Sequence, residues 1–470
     1  MPLLPVDPAP PPPSDRQTVF DALSFVQAPI NVTRLAELLA DRHTTRGTGF
    51  NTTSLRGLLG ELLQAQQVGC NAQGQWWASP ALSWPRFVAL VQQSAERERW
   101  WAAWRRLYRF DNTWHLEVFG DEAMVGALRV VVYAGGTPEA YDRLCSLSRS
   151  TSPQQPGLLA AALLRPFEPA LWQRLNPDLR FPLLRLLLNH PSGDSDLHTV
   201  ALWTWLLAES QPDPGQLHEL SRLRLAERLV LAGQSDEARR VLLGLDLAEA
   251  QAIRAAADIA DGHYVSGAVA FELAWKEQAA TVGRRKHLFT DATSWFYLLA
   301  LIAQPDPALW TKARKFAAGE AGKRDADAYT FWGVWQEAID QRLGDAPRNP
   351  RAFVMAPLQG YRLHGLMQLS HWLLAAWLGH KPPQPAVLGT LAAKLSSDYA
   401  ASGQPWLAMM VRRSAASLRG VGPETADAAQ PFPIGAPVDR WREALTAIVA
   451  LGAVGGAAAA GAAAGGVADA

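Results

Sequence analysis

NTTSLRGLLGELLQAQQVGCNAQGQWWAS, Asn51 to Ser79, carries two different apolar periods in one run. Asn51 is a residue type that caps helices through its side-chain oxygen, and Leu55, Leu58, Leu59, Leu62 and Leu63 recur behind it at helical spacing. The period then changes. VGCNAQGQWWAS reads as two short strands about a glycine-containing turn. Upstream, SDRQTVFDALSFV has Ser14 at a cap position with Val19, Phe20, Leu23 and Val26 on one face. NVTRLAELLADR opens on Asn31 and is expected to bury Val32, Leu35, Leu38 and Leu39.

Three helices followed by a hairpin is the order of a winged helix, expected over residues 15–80. In that arrangement the third helix enters the major groove and its early exposed residues meet the bases. The DNA-contact candidates are therefore Thr52, Thr53 and Arg56 on the helix, Arg42 and Arg46 on the loop before it, and Gln75 in the wing. The same span balances Arg16, Arg34, Arg42, Arg46 and Arg56 against Asp15, Asp21, Glu37, Asp41 and Glu61. Phosphate neutralisation supplies most DNA affinity, so this module alone is expected to bind weakly, or to dock on protein instead.

ERERWWAAWRRLYRF, Glu96 to Phe110, raises the same question. On a helical wheel Trp100, Trp101, Trp104, Leu107 and Tyr108 share one face, the width of a core-facing stripe. Base-stacking residues of single-strand binders project instead from sheets or loops. Arg105, Arg106 and Arg109 lie opposite and form a secondary basic face, diluted by Glu96 and Glu98.

From Ser83 to about Gly420 the pattern is almost wholly helical. VYAGGTPEAYDRL, VLAGQSDEARRVL and IADGHYVSGAVAF echo one another. Each has glycine fourth (Gly135, Gly233, Gly262), a small residue five places on (Ala140, Ala238, Gly267), and a closing apolar residue (Leu144, Leu242, Phe271). YAASGQPWLAMM from Tyr399 is a looser fourth. Glycine ends one helix and the small residue admits close approach of the next. Gly135 and Gly233 are about three 33-residue units apart, whereas Gly262 follows Gly233 after less than one. The expectation for 83–420 is thus an irregular tetratricopeptide-like α-helical solenoid, in a mostly α chain.

The flanks differ. MPLLPVDPAPPPPS, residues 1–14, is a proline-rich leader with no basic region ahead of an apolar run, so it is not a signal peptide. Residues 421–438 read as a linker, 439–453 as a short helix, and 454–470 as a low-complexity Ala/Gly tail. Ala444 to Ala468 carries no charge, but its glycine and alanine content makes partition into lipid marginal. A membrane-tethered adaptor is the weakest of three readings.

Bulk composition excludes several classes. Among 470 residues, Lys plus Arg equals Asp plus Glu at 44 each, so no global field draws the chain to polyanions. Nineteen tryptophans serve as core wedges. Cys70 and Cys145 are too few for a disulfide framework or a thiolate zinc site, and a reducing cytoplasm fits. No H-x-x-x-H pair offers metal ligands on one helix face. DEAM at Asp121 has no upstream phosphate loop, GEAGKRD at Gly319 lacks the phosphate-loop spacing, and HLE at His115 has no P-C-x-x-C partner. No catalytic residue, metal or cofactor is expected.

GYRLHGLMQLSHWLLAAWLG (Gly360 to Gly379) and DRWREALTAIVALGA (Asp439 to Ala453) look like segments ahead of the motor core in a known family. With the leader, winged-helix order and tryptophan-rich array, the chain resembles the N-terminal region of large bacterial Swi/Snf-type DEAD/DEAH-box helicases. The resemblance implies an arm that recognises or regulates, while a separate core binds ATP and translocates on DNA. The phosphate loop, acidic box and later motifs of that core are absent here, so no catalytic residue carries over. The resemblance would make this an accessory arm, a truncated product, or one half of a split gene. The competing expectation is a stand-alone protein-protein scaffold without nucleic acid.

Overall fold

The computed structural model describes residues 13–111, 116, 118, 120–148, 152–188, 200–211, 213–282, 289–321, 326–344, 364–378, 385–401 and 403–418. All but the last two residues of the proline-rich leader lie outside these, as do His115, the linker, the 439–453 helix and the tail. The chain forms two compact units, residues 1–187 and 188–470, dividing inside the span expected to be one continuous array. Both are mostly helical.

The first unit begins α1 (Asp15–Val26), β1 (Ile30–Asn31), α2 (Val32–Leu38), α3 (Thr52–Gln64), β2 (Val68–Cys70), β3 (Gln75–Ala78). It continues α4 (Pro80–Gln92), α5 (Ser94–Leu107), α6 (Asp121–Arg129), α7 (Pro138–Leu147), α8 (Pro156–Leu163), α9 (Pro169–Arg174) and α10 (Pro177–Leu188). Local capping explains the first helices. Ser14 Oγ accepts from the Gln17 amide, and Asn31 Oδ1 from that of Arg34. Asn51 and Ser54 cap each other reciprocally at the start of α3. Leu55, Leu59 and Leu62 are buried, but Leu63 is 44% exposed: the seam is narrower than the leucine run. Likewise Val32, in the first turn of α2, is only half-buried.

The three strands form one antiparallel sheet in the order β1-β3-β2, with Ile30 opposite Trp76 and Val68 opposite Ala78. In α5, Trp100, Trp104 and Leu107 are buried and Trp100 stacks on Phe25 of α1 at 5.9 Å. The aromatic stripe is core.

Arg129, at the end of α6, ties this unit together. Its guanidinium donates to the carbonyl oxygens of Ala161, Ala162 and Arg165 and to Gln27 Oε1, and lies over the Trp84 ring. The Ala161 and Ala162 carbonyls belong to the last turn of α8, where no intrahelical donor remains and a cation is favoured. Burial pushes the Arg129 pKa down.

The second unit comprises α11 (Val200–Ser210), α12 (Glu219–Leu231), α13 (Ser235–Val241), α14 (Ala248–Ala260), α15 (Tyr264–Val282) and α16 (Asp291–Ile302). Then come α17 (Pro307–Ala321), α18 (Ala326–Arg342), α19 (His364–Trp377), α20 (Pro385–Ala401) and α21 (Pro405–Leu418). Successive helices pack in pairs, α12 with α13, α14 with α15, α17 with α18 and α20 with α21. The pairs stack on neighbours, as α12 on α14 and α14 on α16. Trp295, Trp332, Trp335, Trp377 and Trp406 are fully buried wedges.

The echoing glycines close helices as their spacing implies, with one shift. Gly233, Gly262 and Gly403 have φ of +78°, +86° and +75°, and each is followed by an amide returning to a carbonyl five residues back. This pair of features is the Schellman end. In the first echo the left-handed residue is Gly136, not Gly135. There α6 runs on into a π-helical turn, Val130–Gly135, whose wider winding absorbs one extra residue before the stop. The small residue of the third echo is equally constrained. A Cβ at Gly267 would sit 2.5 Å from Ile259 Cγ1 and 3.0 Å from the Ala255 carbonyl oxygen.

Gly267→Ala is therefore expected to destabilise the chain by about 1–3 kcal/mol, although alanine is the better helix former. Urea unfolding decides it, and an unchanged or raised midpoint refutes the close packing. A second expectation concerns His371 in α19. It is 6% exposed, its Nε2 has no partner among the described residues, and burial pulls its pKa down to about 4. The unfolded histidine binds its proton near pH 6.5, so stability falls as pH drops through 6.5 and the loss levels off below about 4. From about pH 7.5 to 5 the wild type should lose on the order of 2 kcal/mol that His371→Leu does not lose. Parallel pH slopes for the two proteins would refute it.

Candidate functional site

α3 is held on α1, α2 and β2 through its leucine seam, which turns the opposite face outward. Thr53 and Arg56 are exposed there and Thr52 is half-buried at the first turn. Gly57 and Gly60 follow on the same helix, and a Cβ added to either would meet nothing within 4 Å. The face is therefore flat, with Arg56 on it and the exposed Glu61 one turn beyond Gly57.

The loop before α3 is folded. His43 and Gly49 form an isolated antiparallel bridge, and the Thr44 and Thr48 hydroxyls lie 2.8 Å apart. Asp15 accepts from the Thr45 amide at 2.6 Å, fixing the loop to the start of α1. This presents Arg46 at the exposed tip, next to Gly47 with φ +78°. Neither Arg46 nor Arg56 has a side-chain partner among the described residues.

Arg42 is placed differently. Its guanidinium bonds Glu96 at 3.0 Å and lies 4.5 Å from the Trp100 ring centroid. It braces the loop against α5 and leaves the set of unpaired cations. Gln75 is exposed at the start of β3, where its Oε1 accepts from Asn71 Nδ2 at 2.8 Å across the β2–β3 turn. The secondary basic face is also engaged. Arg105 grips Asp111 through Nε and Nη2, and Arg106 bonds Asp41. Arg109 is exposed in the left-handed region at φ 48°, ending α5 by the same amide return seen at the glycines.

Three of the five acidic residues of 15–80 are bound to arginines in the same way. Asp21, 4% exposed, is bound by Arg86 Nε and Nη2 at 2.6 and 2.7 Å, and those hydrogen bonds raise the Arg86 pKa. Asp41 holds Arg106 and Glu61 lies 3.7 Å from Arg16. Counting Arg86, Glu96 and Arg106 with the residues of 15–80 turns a balance of zero into an excess of one positive charge. With those partners included, Arg46 and Arg56 remain without a carboxylate partner beside α3, just as Asp15 and Glu37 remain without an arginine. Sequence spacing could not reveal this, since the partners lie 54 to 65 positions away.

The other candidates join no site. DEAM begins α6, where Asp121 and Glu122 occupy the first turn, a favourable place for acids on any helix. Cys70 is exposed and Cys145 half-buried, both free thiols. Among the described residues no cluster of His, Cys, Asp and Glu is placed to hold a metal ion, and no helix is long and apolar enough to cross a membrane. No protein-family model, curated protein or solved structure matches the chain. The likeness to helicase N-terminal regions thus rests on the segments quoted above.

The geometry separates two arginines by role. Arg42→Ala should cost about 1–2 kcal/mol through the lost Glu96 pair and ring contact. Arg56→Ala should change stability by less than about 0.5 kcal/mol. Thermal unfolding of both variants tests the assignment, and equal losses would overturn it.

Proposed function

We propose that the chain is a non-catalytic accessory module for nucleic-acid machinery. In this reading residues 15–80 act as a winged helix touching duplex DNA through α3, and the helical array, built like tetratricopeptide repeats, holds a protein partner such as a motor core. The observation that carries it is the presentation of Arg46 and Arg56 without side-chain partners beside Thr52 and Thr53, while Asp21, Asp41 and Glu61 are each held by an arginine. The strand order and the third helix's outward face support the winged-helix assignment. Two free cations imply weak, largely sequence-independent binding that a partner must supplement.

A second reading, a protein-binding scaffold without nucleic acid, is favoured by α15. Val265, Val269 and Leu273 recur every fourth residue and are 66%, 54% and 59% exposed. Such a stripe fits an apolar partner surface.

Fluorescence anisotropy of the full chain with labelled duplex DNA tests the first reading. Binding should fall between low and moderate salt with a logarithmic slope of about −2, one unit per phosphate contact. Arg56→Ala should reduce that slope by about one, and Arg105→Ala should leave it unchanged. No binding at low salt, or a slope indifferent to Arg56→Ala, removes the DNA reading and leaves the scaffold.

A further inference from the structure

A groove of about 590 Å³ opens on the first unit between α1 and α4. Phe20, Leu82 and Pro85 give it apolar walls, and Arg16, Gln17 and Gln67 stand among its polar lining. Leu82 is 46% exposed in a helix that buries Phe87, Leu90 and Val91 and half-buries Trp84 and Val88. The Gln67 side-chain amide has no partner among the described residues, and Arg16 is held only loosely by Glu61 at 3.7 Å. The groove thus combines ring-sized apolar surface with donors that lack strong acceptors.

Ser14 lines the same groove and is the residue at which the proline-rich segment joins α1. Its φ and ψ of −62° and 159° are polyproline values. The chain therefore arrives at the groove's rim already in the conformation that consecutive prolines impose. A polyproline strand makes no internal hydrogen bonds, so its carbonyls need outside donors while its rings need apolar cover. Arg16 and Gln67 supply the first, Phe20, Leu82 and Pro85 the second.

We propose that this groove is the seat of the chain's own segment Pro5 to Pro13, PVDPAPPPP. Its nine residues extend about 28 Å at 3.1 Å each. The α1 face from Ser14 to Phe20 is only about 9 Å long, so the segment is long enough to reach the whole groove from its attachment at Ser14. Tethering favours this occupant over a foreign proline-rich peptide, because a short connection gives effective concentrations of order millimolar. A shallow groove then suffices. The seat is independent of the proposed DNA contact, which uses the outward face of α3.

The test places p-benzoylphenylalanine at position 82 of the full chain, irradiates it in dilute solution, and maps the adducts by mass spectrometry. Leu82 is half exposed, so the label does not disturb the core. The expected product is an intramolecular adduct to residues 5–13. Replacing Pro10, Pro11 and Pro12 with glycine, which leaves α1 and α4 untouched, should lower its yield roughly five-fold, equivalent to about 1 kcal/mol of seating. Adducts confined to the folded helices overturn the proposal. So do adducts joining two chains, which would assign the groove to a second copy, and a yield indifferent to the glycine replacements.

Discussion

A charged guanidinium half-buried without a carboxylate sets the terms for the first unit. Arg129 is held instead by three backbone carbonyls, one side-chain amide oxygen and a tryptophan face. Each acceptor is neutral, and each comes from an element that must already be in place. The carbonyls need α8 to end where it does; Gln27 needs α1 to stop in a left-handed residue, and its φ is 55°. Trp84 needs α4 to pack across both. Removing the cation would leave the last turn of α8 unsatisfied in an apolar setting, a penalty larger than the worth of any one of these bonds. Gly126, one turn earlier on α6, completes the arrangement. A Cβ there would meet the Gln27 carbonyl oxygen at 2.7 Å, so the helix lies directly against the end of α1. The N-terminal elements and the helices after them are consequently one packed body.

The same economy governs the surface. Several arginines of the first unit find carboxylates distant in sequence: Arg42 with Glu96, Arg86 with Asp21, Arg106 with Asp41. The partially buried pairs orient helices, whereas exposed ones contribute little to stability. Their larger consequence is electrostatic. A chain with equal numbers of acidic and basic residues can still present a local excess, provided the acids are occupied. Beside α3 the pairing of Asp21, Asp41 and Glu61 leaves Arg46 and Arg56 exposed in this way.

What the sequence made readable follows the range of the interactions. The caps at Ser14, Asn31 and Asn51 and the Leu55, Leu59, Leu62 seam are local, and their helices lie where those residues imply. The hairpin of β2 and β3 is local too. β1 is not: two residues carry no period, and Ile30 and Asn31 become a strand only because β3 lies beside them. The π-helical turn at Val130–Gly135 was hidden for another reason. One extra residue inside a run of valines alters no composition, yet it moved the helix stop from Gly135 to Gly136. The division at Leu187 leaves no compositional mark, since both units are rich in the same leucine and tryptophan. At the candidate site the exposed residues of α3 could be picked from spacing, but the diversion of Arg42 depends on tertiary placement of Glu96.

On the proposed reading, weakness is what this site is suited to. Two phosphate contacts give little affinity alone and none of the base discrimination that bidentate side chains supply. An arm attached to a processive motor gains nothing from tight binding, which would stall translocation at every site. Held near the duplex by its partner, a module with a dissociation constant of order 10–100 µM experiences DNA at an effective concentration of order millimolar. It is then mostly bound when the partner is engaged and mostly free otherwise. The flat face created by Gly57 and Gly60 fits such use. Each glycine costs the helix about 1 kcal/mol relative to alanine, and no described neighbour requires the space. A passing nucleic-acid backbone would.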